Sequence, residues 1–176
     1  MGSRGPHIVL VGLSGVGKST IGRELAAELG MSFADLDELI EQRVGATIVD
    51  IFDSYGEAMF REHEARVLAE VLARDEPAVV STGGGVVLRE ENRRIMVERG
   101  TTIWLDADLD AILQRVGEDK SRPLLAGDAA AALGRLARER EPLYREVADL
   151  TVSAVCNDPS QVVRQITSHL QGKGAG

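Results

Sequence analysis

The chain has 176 residues, 44% of them apolar and 27% charged, which suits one globular domain and leaves little room for a second. Its 20 Lys and Arg face 28 Asp and Glu, a formal charge of −8 that repels a nucleic-acid backbone, and aromatics at 3% supply no stacking platform for bases. Cys156 is the only cysteine, which forbids an internal disulfide, and no stretch approaches the roughly 20 apolar residues of a membrane span, so the expectation is a soluble, cytoplasmic chain.

Short apolar runs alternate with helical patterns along most of the chain. Ile8–Val11 reads as a buried strand. Lys18–Leu29 carries Ile21, Leu25, Ala26 and Leu29 on one stripe, a helix that Gly30 stops. Ser32–Leu36 reads as a second strand. The pattern is helical from Asp37 to Arg43 and again from Ile48 to Ala73, with a break near Tyr55-Gly56. Ala78–Ser81 is a third strand, Gly83-Gly84-Gly85 a turn, Glu90–Glu98 a helix and Thr102–Leu105 a fourth strand. Asp108 is available to cap a helix over Asp108–Val116. Gly117–Asp128 breaks the rhythm. A helix over Ala129–Val147, interrupted by Pro142, then leads to a fifth strand at Leu150–Val152 and a closing helix at Gln161–Leu170. Met1–Pro6 and Gly172–Gly176 read as loose ends. Strands separated by helices predict a three-layer α/β/α domain around a five-stranded parallel sheet.

Gly12-Leu13-Ser14-Gly15-Val16-Gly17-Lys18-Ser19 matches G-x-x-x-x-G-K-[ST] in full, following an apolar strand and opening a helix. Glycines let backbone N–H groups turn inward around a phosphate, and the helix adds the positive end of its dipole. The nucleotide-binding residues are then Gly15, Val16, Gly17, Lys18, Ser19 and Thr20, with Lys18 on the outer phosphates and the Ser19 hydroxyl on magnesium. A guanine-reading Asn-Lys-x-Asp tetrapeptide is missing from the sequence, which argues against a GTPase switch.

Asp35-Leu36-Asp37 ends the second strand, where i and i+2 share a face at the ligand-binding edge of a parallel sheet. One carboxylate can hold the magnesium shell and the other can take a hydroxyl proton, although Asp37 fits equally as the cap of helix Glu38–Arg43. Arg61 lies between Glu57 and Glu64 at helical spacing. So placed, it can grip a substrate carboxylate through two parallel bonds, and it also suits a solvated charge lattice. Gly83–Gly85 lets the main chain approach a ligand. Arg122, before Pro123 in the irregular stretch, can cancel charge that develops during phosphoryl transfer, or sit on a plain surface loop. His7, His63 and His169 show no metal-ligand spacing, and Trp104 reads as core.

Taken in order, Gly12–Ser19, Asp35-Leu36-Asp37, Gly56-Glu57 with Phe60-Arg61 and Glu64, Gly83–Gly85, Arg122-Pro123-Leu124-Leu125, and Arg140 with Pro142-Leu143-Tyr144-Arg145 resemble the shikimate kinase family. That family belongs to the nucleoside-monophosphate-kinase-like branch of P-loop proteins. The resemblance runs from about Ile8 to Leu170 and implies transfer of the ATP γ-phosphate to the 3-hydroxyl of shikimate, with Mg2+. It implies that Asp37 binds the acceptor hydroxyl and acts as the base or assists it, and that Arg61 and Arg140 clamp the shikimate carboxylate beside the Gly84 N–H. Phe52 and Phe60 would shape the apolar side of the pocket, Asp35 and Ser19 would hold the metal, Arg115 would stack on adenine, and Arg122 would be a lid arginine reaching over ATP. The implied organisation is one P-loop kinase domain, 1–176, with a core over about 7–171, a substrate-binding helical region over about 37–64 and a mobile lid over about 117–128. It would act as a monomer, without nucleic-acid or membrane partners. Nucleotide preference rests on this resemblance and not on the loop Ala154–Pro159. Two alternatives stand beside it: a P-loop kinase for another small hydroxy acid such as gluconate, and a non-catalytic ATP-binding regulator.

Overall fold

A computed structural model describes residues 6–118, 129–154 and 158–173. Five strands, β1 (His7–Val11), β2 (Ser32–Asp35), β3 (Ala78–Ser81), β4 (Gly100–Asp106) and β5 (Leu150–Ser153), form one sheet in the order β2-β3-β1-β4-β5. Every pairing is parallel; Val9, for example, lies between Val80 and Thr102. The helices are α1 (Lys18–Leu29), α2 (Leu36–Val44), α3 (Ile48–Leu72), α4 (Glu90–Arg99), α5 (Leu109–Glu118), α6 (Ala129–Val147) and α7 (Pro159–Lys173), with a short 3-10 turn at Val86–Leu88.

Strand periodicity sorts the core into two layers. Ile8, Leu10, Val79, Ile103, Leu105 and Val152 point to α1 and α7, where Ile21, Leu25, Val162 and Ile166 meet them. Val9, Val11, Ala78, Val80 and Trp104 point to the opposite face and pack with residues of α2, α3, α4 and α6. Alternate side chains of one strand thus serve both apolar faces, and the parallel strands are buried throughout. The expected three-layer α/β/α architecture is the observed one.

The punctuation follows local chemistry. Gly30 closes α1 in the left-handed region (φ 63°), where its lack of a Cβ removes the steric penalty. Thr47 and Asp50 form a reciprocal capping box at the start of α3. Gly56 (φ 79°, ψ 170°) breaks α3 at the expected position. Asp108 caps α5 by accepting the Asp110 N–H at 3.3 Å.

Three expectations need correction. The chain leaves β2 at Asp35 and turns helical at Leu36, so Asp37 lies in the first turn of α2 and not on a strand face with Asp35. Pro142 does not interrupt α6: it sits on the exposed side with Arg138, where water can reach the carbonyl that its missing N–H leaves without a helical partner. Gly172 belongs to α7 instead of a loose end.

Candidate active site

The strand order reverses between β1 and β3, and in open parallel sheets the crevice beyond the strand ends at such a point is where ligands bind. The loops after β1 and β3 and the start of α2 meet there.

The loop after β1 is the phosphate cradle. Gly12, Gly15 and Gly17 have φ values of 145°, 88° and 101°, a region that side chains with a Cβ rarely enter. A Cβ on Gly12 would stand 2.5 Å from the Leu105 carbonyl oxygen, so the loop is pressed against the end of β4. Lys18 is buried, and its Nζ donates to the carbonyl oxygens of Gly12 at 2.7 Å and Leu13 at 2.9 Å. Those bonds curl the ammonium over the loop it belongs to. Val16 is fully buried beneath the cradle, whereas Gly15 and Gly17 are half-buried and Thr20 is exposed.

Beside the cradle, the Ser19 hydroxyl donates to Asp35 Oδ2, and Ser81 Oγ lies 3.2 Å from Ser19 Oγ. The other carboxylate oxygen of Asp35 accepts the backbone N–H groups of Asp37 at 3.0 Å and Glu38 at 3.4 Å, capping α2. This cap, not Asp37, starts the helix, and it fixes the carboxylate that faces Ser19. Ser81, at the end of β3, was not marked by any sequence motif; its position at a strand end next to the glycine run was the available signal.

The glycine run after β3 is where the remaining elements converge. A Cβ on Gly83 would lie 2.8 Å from Glu64 Oε1 and 3.4 Å from Asp37 Oδ1. One on Gly84 would lie 3.0 Å from the Ser14 backbone N and 3.2 Å from Arg140 Nη1. One on Gly85 would lie 2.5 Å from Arg61 Cζ. Two guanidiniums, from α3 and α6, therefore lie against consecutive glycines, with Asp37 and the tip of the phosphate loop alongside.

Arg61 is not part of a solvated lattice, since its side chain is only 13% exposed. Nη1 donates to Glu64 Oε2 at 2.8 Å, while Nη2 and Nε donate to Glu57 Oε1 at 3.1 and 3.3 Å. Glu64 is completely buried, and burial pushes its pKa above the ordinary value against the pull of Arg61. The Arg61 pKa is raised: burial works against its charge, but pairing with Glu64 and Glu57 outweighs it. Phe60 is buried with the Arg61 guanidinium 5.1 Å from its ring centre, and the half-buried Phe52 packs against it at 4.7 Å, tilted by 37°. The two rings thus pack together beside the arginine. Arg122 and the side chain of Arg115 lie outside the described residues, as does most of the expected lid.

The donor set at Ser19, Asp35 and Ser81 consists of hard oxygens, which fits Mg2+. Among the described residues no three His, Cys, Asp or Glu side chains form a metal-binding group, so a magnesium ion here would draw further ligands from phosphate oxygens and water.

A parallel sheet with this order, carrying a phosphate cradle and a neighbouring pair of arginines at its reversal point, defines a P-loop kinase of small molecules. The comparisons with known proteins carry the assignment further. The shikimate kinase family model matches residues 14–171. A shikimate kinase of Nitrobacter winogradskyi is 52% identical over 151 residues, covering 85% of this chain and 70% of its own. The solved structure of the shikimate kinase from Acinetobacter baumannii in complex with shikimate superposes with a TM-score of 0.92 at 38% identity, covering 98% of this chain and 96% of that one. The gluconokinase from Sinorhizobium meliloti superposes at a TM-score of 0.59 with 18% identity over 97% of this chain and 99% of its own, a likeness of fold alone. The chain belongs to the shikimate kinase family and is an ATP-dependent kinase.

Proposed function

We propose that the chain transfers the γ-phosphate of ATP to the 3-hydroxyl of shikimate, yielding shikimate 3-phosphate and ADP. The observation that supports this reading most directly is the approach of Arg61 and Arg140 to the adjacent Gly84 and Gly85. Two guanidiniums held against bare backbone, beside a phosphate cradle, suit a small acid whose carboxylate takes the charge while its alcohol turns toward the nucleotide.

In this reading Arg61 and Arg140 bind the shikimate carboxylate and the Gly84 N–H helps to orient it. Phe52 and Phe60 cover the carbon face of the ring. Asp37 accepts the proton of the attacking hydroxyl as its oxygen bonds to the γ-phosphorus and the bond to ADP breaks. Lys18 and the cradle, Gly15 to Thr20, hold the phosphates, with Arg115 on the adenine and Arg122 neutralising charge from the lid. Ser19 and Asp35 hold Mg2+, which when bound supplies neutralisation of phosphate charge. Transfer of this kind depends mainly on position and charge, and each of these groups supplies one or the other.

The domain reading that accompanies it is one unit with a core over about 7–171, a substrate region over about 37–64 and a lid over about 117–128. We read the chain as monomeric and cytoplasmic; among the described residues no helix is long and apolar enough to cross a membrane.

An ADP-release assay with shikimate and gluconate side by side tests the proposal. Turnover with shikimate is expected. Turnover with gluconate alone would replace the substrate, and ATP binding without turnover of either acid would favour a regulator.

A further inference from the structure

The motif Pro142-Leu143-Tyr144-Arg145 contains a residue that the proposed reaction leaves without a task. Tyr144 is 1% exposed, and its ring stacks on Trp104 at 5.9 Å and 30°. A buried phenol needs a partner for its hydroxyl. Here the hydroxyl donates to the carbonyl oxygen of Gly84, sixty residues away in sequence.

That carbonyl differs from its neighbours in how it is held. Within the glycine run, Gly83 O accepts the Val86 N–H at 3.1 Å and Gly85 O accepts the Leu88 N–H at 3.1 Å, both as part of the 3-10 turn. The buried Gly84 carbonyl is fixed by a side chain from another element. Glycine has the widest backbone freedom of any residue, so a peptide between two glycines keeps its orientation only if something outside the turn holds it. The Arg140 guanidinium, one helical turn before Tyr144, lies against the same Gly84 backbone, with Nη1 3.2 Å from where a Gly84 Cβ would stand. Burial among these groups keeps the phenol neutral by raising its pKa.

We propose that Tyr144 is a positioning residue for the acid-binding half of the site: its hydroxyl fixes the Gly84 peptide and the Arg140 guanidinium against each other, so that both meet the substrate carboxylate in one arrangement. The proposal rests on the clamp reading of Arg140 and Gly84 given above. Tyr144 itself touches no reacting atom. Its ring stacks on Trp104, and its hydroxyl bond to the Gly84 carbonyl joins α6 to the loop after β3.

Tyr144→Phe keeps the ring and its stacking and removes only the hydroxyl. The expected result is a rise of about tenfold in the shikimate KM, the scale of one lost hydrogen bond to a buried or charged group, with the ATP KM within twofold and kcat changed less than the shikimate KM. A shikimate KM within twofold of the parent, or equal rises in both KM values, would overturn the proposal. In an Arg140→Ala background the same substitution should add less than it does alone; additive losses would show that the two residues act separately. Arg140→Ala also distinguishes the two readings. If it leaves the shikimate KM unchanged, the clamp is wrong and the proposal goes with it. If it raises the KM while Tyr144→Phe does not, the clamp stands and Tyr144 is not its positioner. Should Tyr144→Phe fail to fold, 3-fluorotyrosine can be incorporated into the unaltered chain, which has only 2 Tyr. The exposed Tyr55 is assigned by a Tyr55→Phe variant. The Tyr144 resonance should move when shikimate is added without nucleotide; a resonance that stays in place while shikimate binds would overturn the proposal.

Discussion

Arg61 fills the space that a side chain on Gly85 would need: a Cβ there would stand 2.5 Å from its Cζ. Gly85 has φ −97° and ψ 6°, which alanine adopts without backbone strain. The obstacle is therefore a side chain and not the backbone, but that side chain pairs with the buried Glu64, so displacing it strands a buried carboxylate. Gly85→Ala should therefore lower the Tm as well as raise the shikimate KM about 10- to 100-fold, the value of a charge-assisted bond pair. Steady-state kinetics beside a thermal melt check this. An unchanged KM would mean that the arginine does not work from its observed position.

Glu64 supplies a pH prediction. Burial holds its folded-state pKa above the ordinary 4.5, so around that value the folded chain keeps a proton that the unfolded chain releases. Its contribution to stability is intact below about 4.5 and declines as pH rises through the raised folded value. Glu64→Gln removes this ionisation, and the unfolding free energy of the variant should fall less steeply over that interval. Arg61 would keep Glu57 but lose its buried partner, and the shikimate KM should rise. Urea denaturation at a series of pH values gives the first result. A parent and variant with equal slopes would place the pH-sensitive group elsewhere.

Local signals were legible to different depths. Lys18–Leu29 could be bounded from sequence because its apolar stripe and Gly30 agree on one helix, and Gly56 marked the break in α3 by its chemistry alone. Asp35 and Asp37 were harder. Strand spacing put them on one face, yet the capping capacity of Asp35 turns the chain one residue later, a competition between two local rules that only the folded backbone decides. Pro142 was misread because a helix tolerates proline when the orphaned carbonyl meets water, and exposure is a tertiary property. The links from Tyr144 to Gly84 and from Ser19 to Ser81 span 60 and 62 residues, and nothing in the local pattern encodes either of them.

Gly12 separates the fold of the phosphate cradle from its chemistry. With φ at 145° and the Leu105 carbonyl oxygen 2.5 Å from any added Cβ, alanine there meets both backbone strain and rigid main chain. Unlike the Arg61 side chain beside Gly85, neither can rotate aside. Gly12→Ala should cost about 1–3 kcal/mol in strain alone and weaken ATP binding. Denaturant titration and nucleotide binding measure the two effects. Parent-like stability would show that β4 and the loop can separate at little cost.

Asp37 and Asp35 stand two residues apart but carry different structural loads, and that difference makes the proton-acceptor role testable. Asp35 caps α2 and accepts the Ser19 hydroxyl, so changing it disturbs the helix and the Ser19 contact together. Asp37 lies half-buried in the first turn of α2, with Oδ1 3.4 Å from where a Gly83 Cβ would stand. Its side chain does not cap the helix, and asparagine preserves its shape. Asp37→Asn should therefore leave thermal stability and ATP affinity near those of the parent while kcat falls by about 10²–10⁴-fold, the usual contribution of a positioned acid–base group. Calorimetric ATP titration and initial rates on the same preparation give both values. A kcat within tenfold of the parent would remove Asp37 from the proton transfer and leave it a hydrogen-bonding contact for the acceptor alcohol.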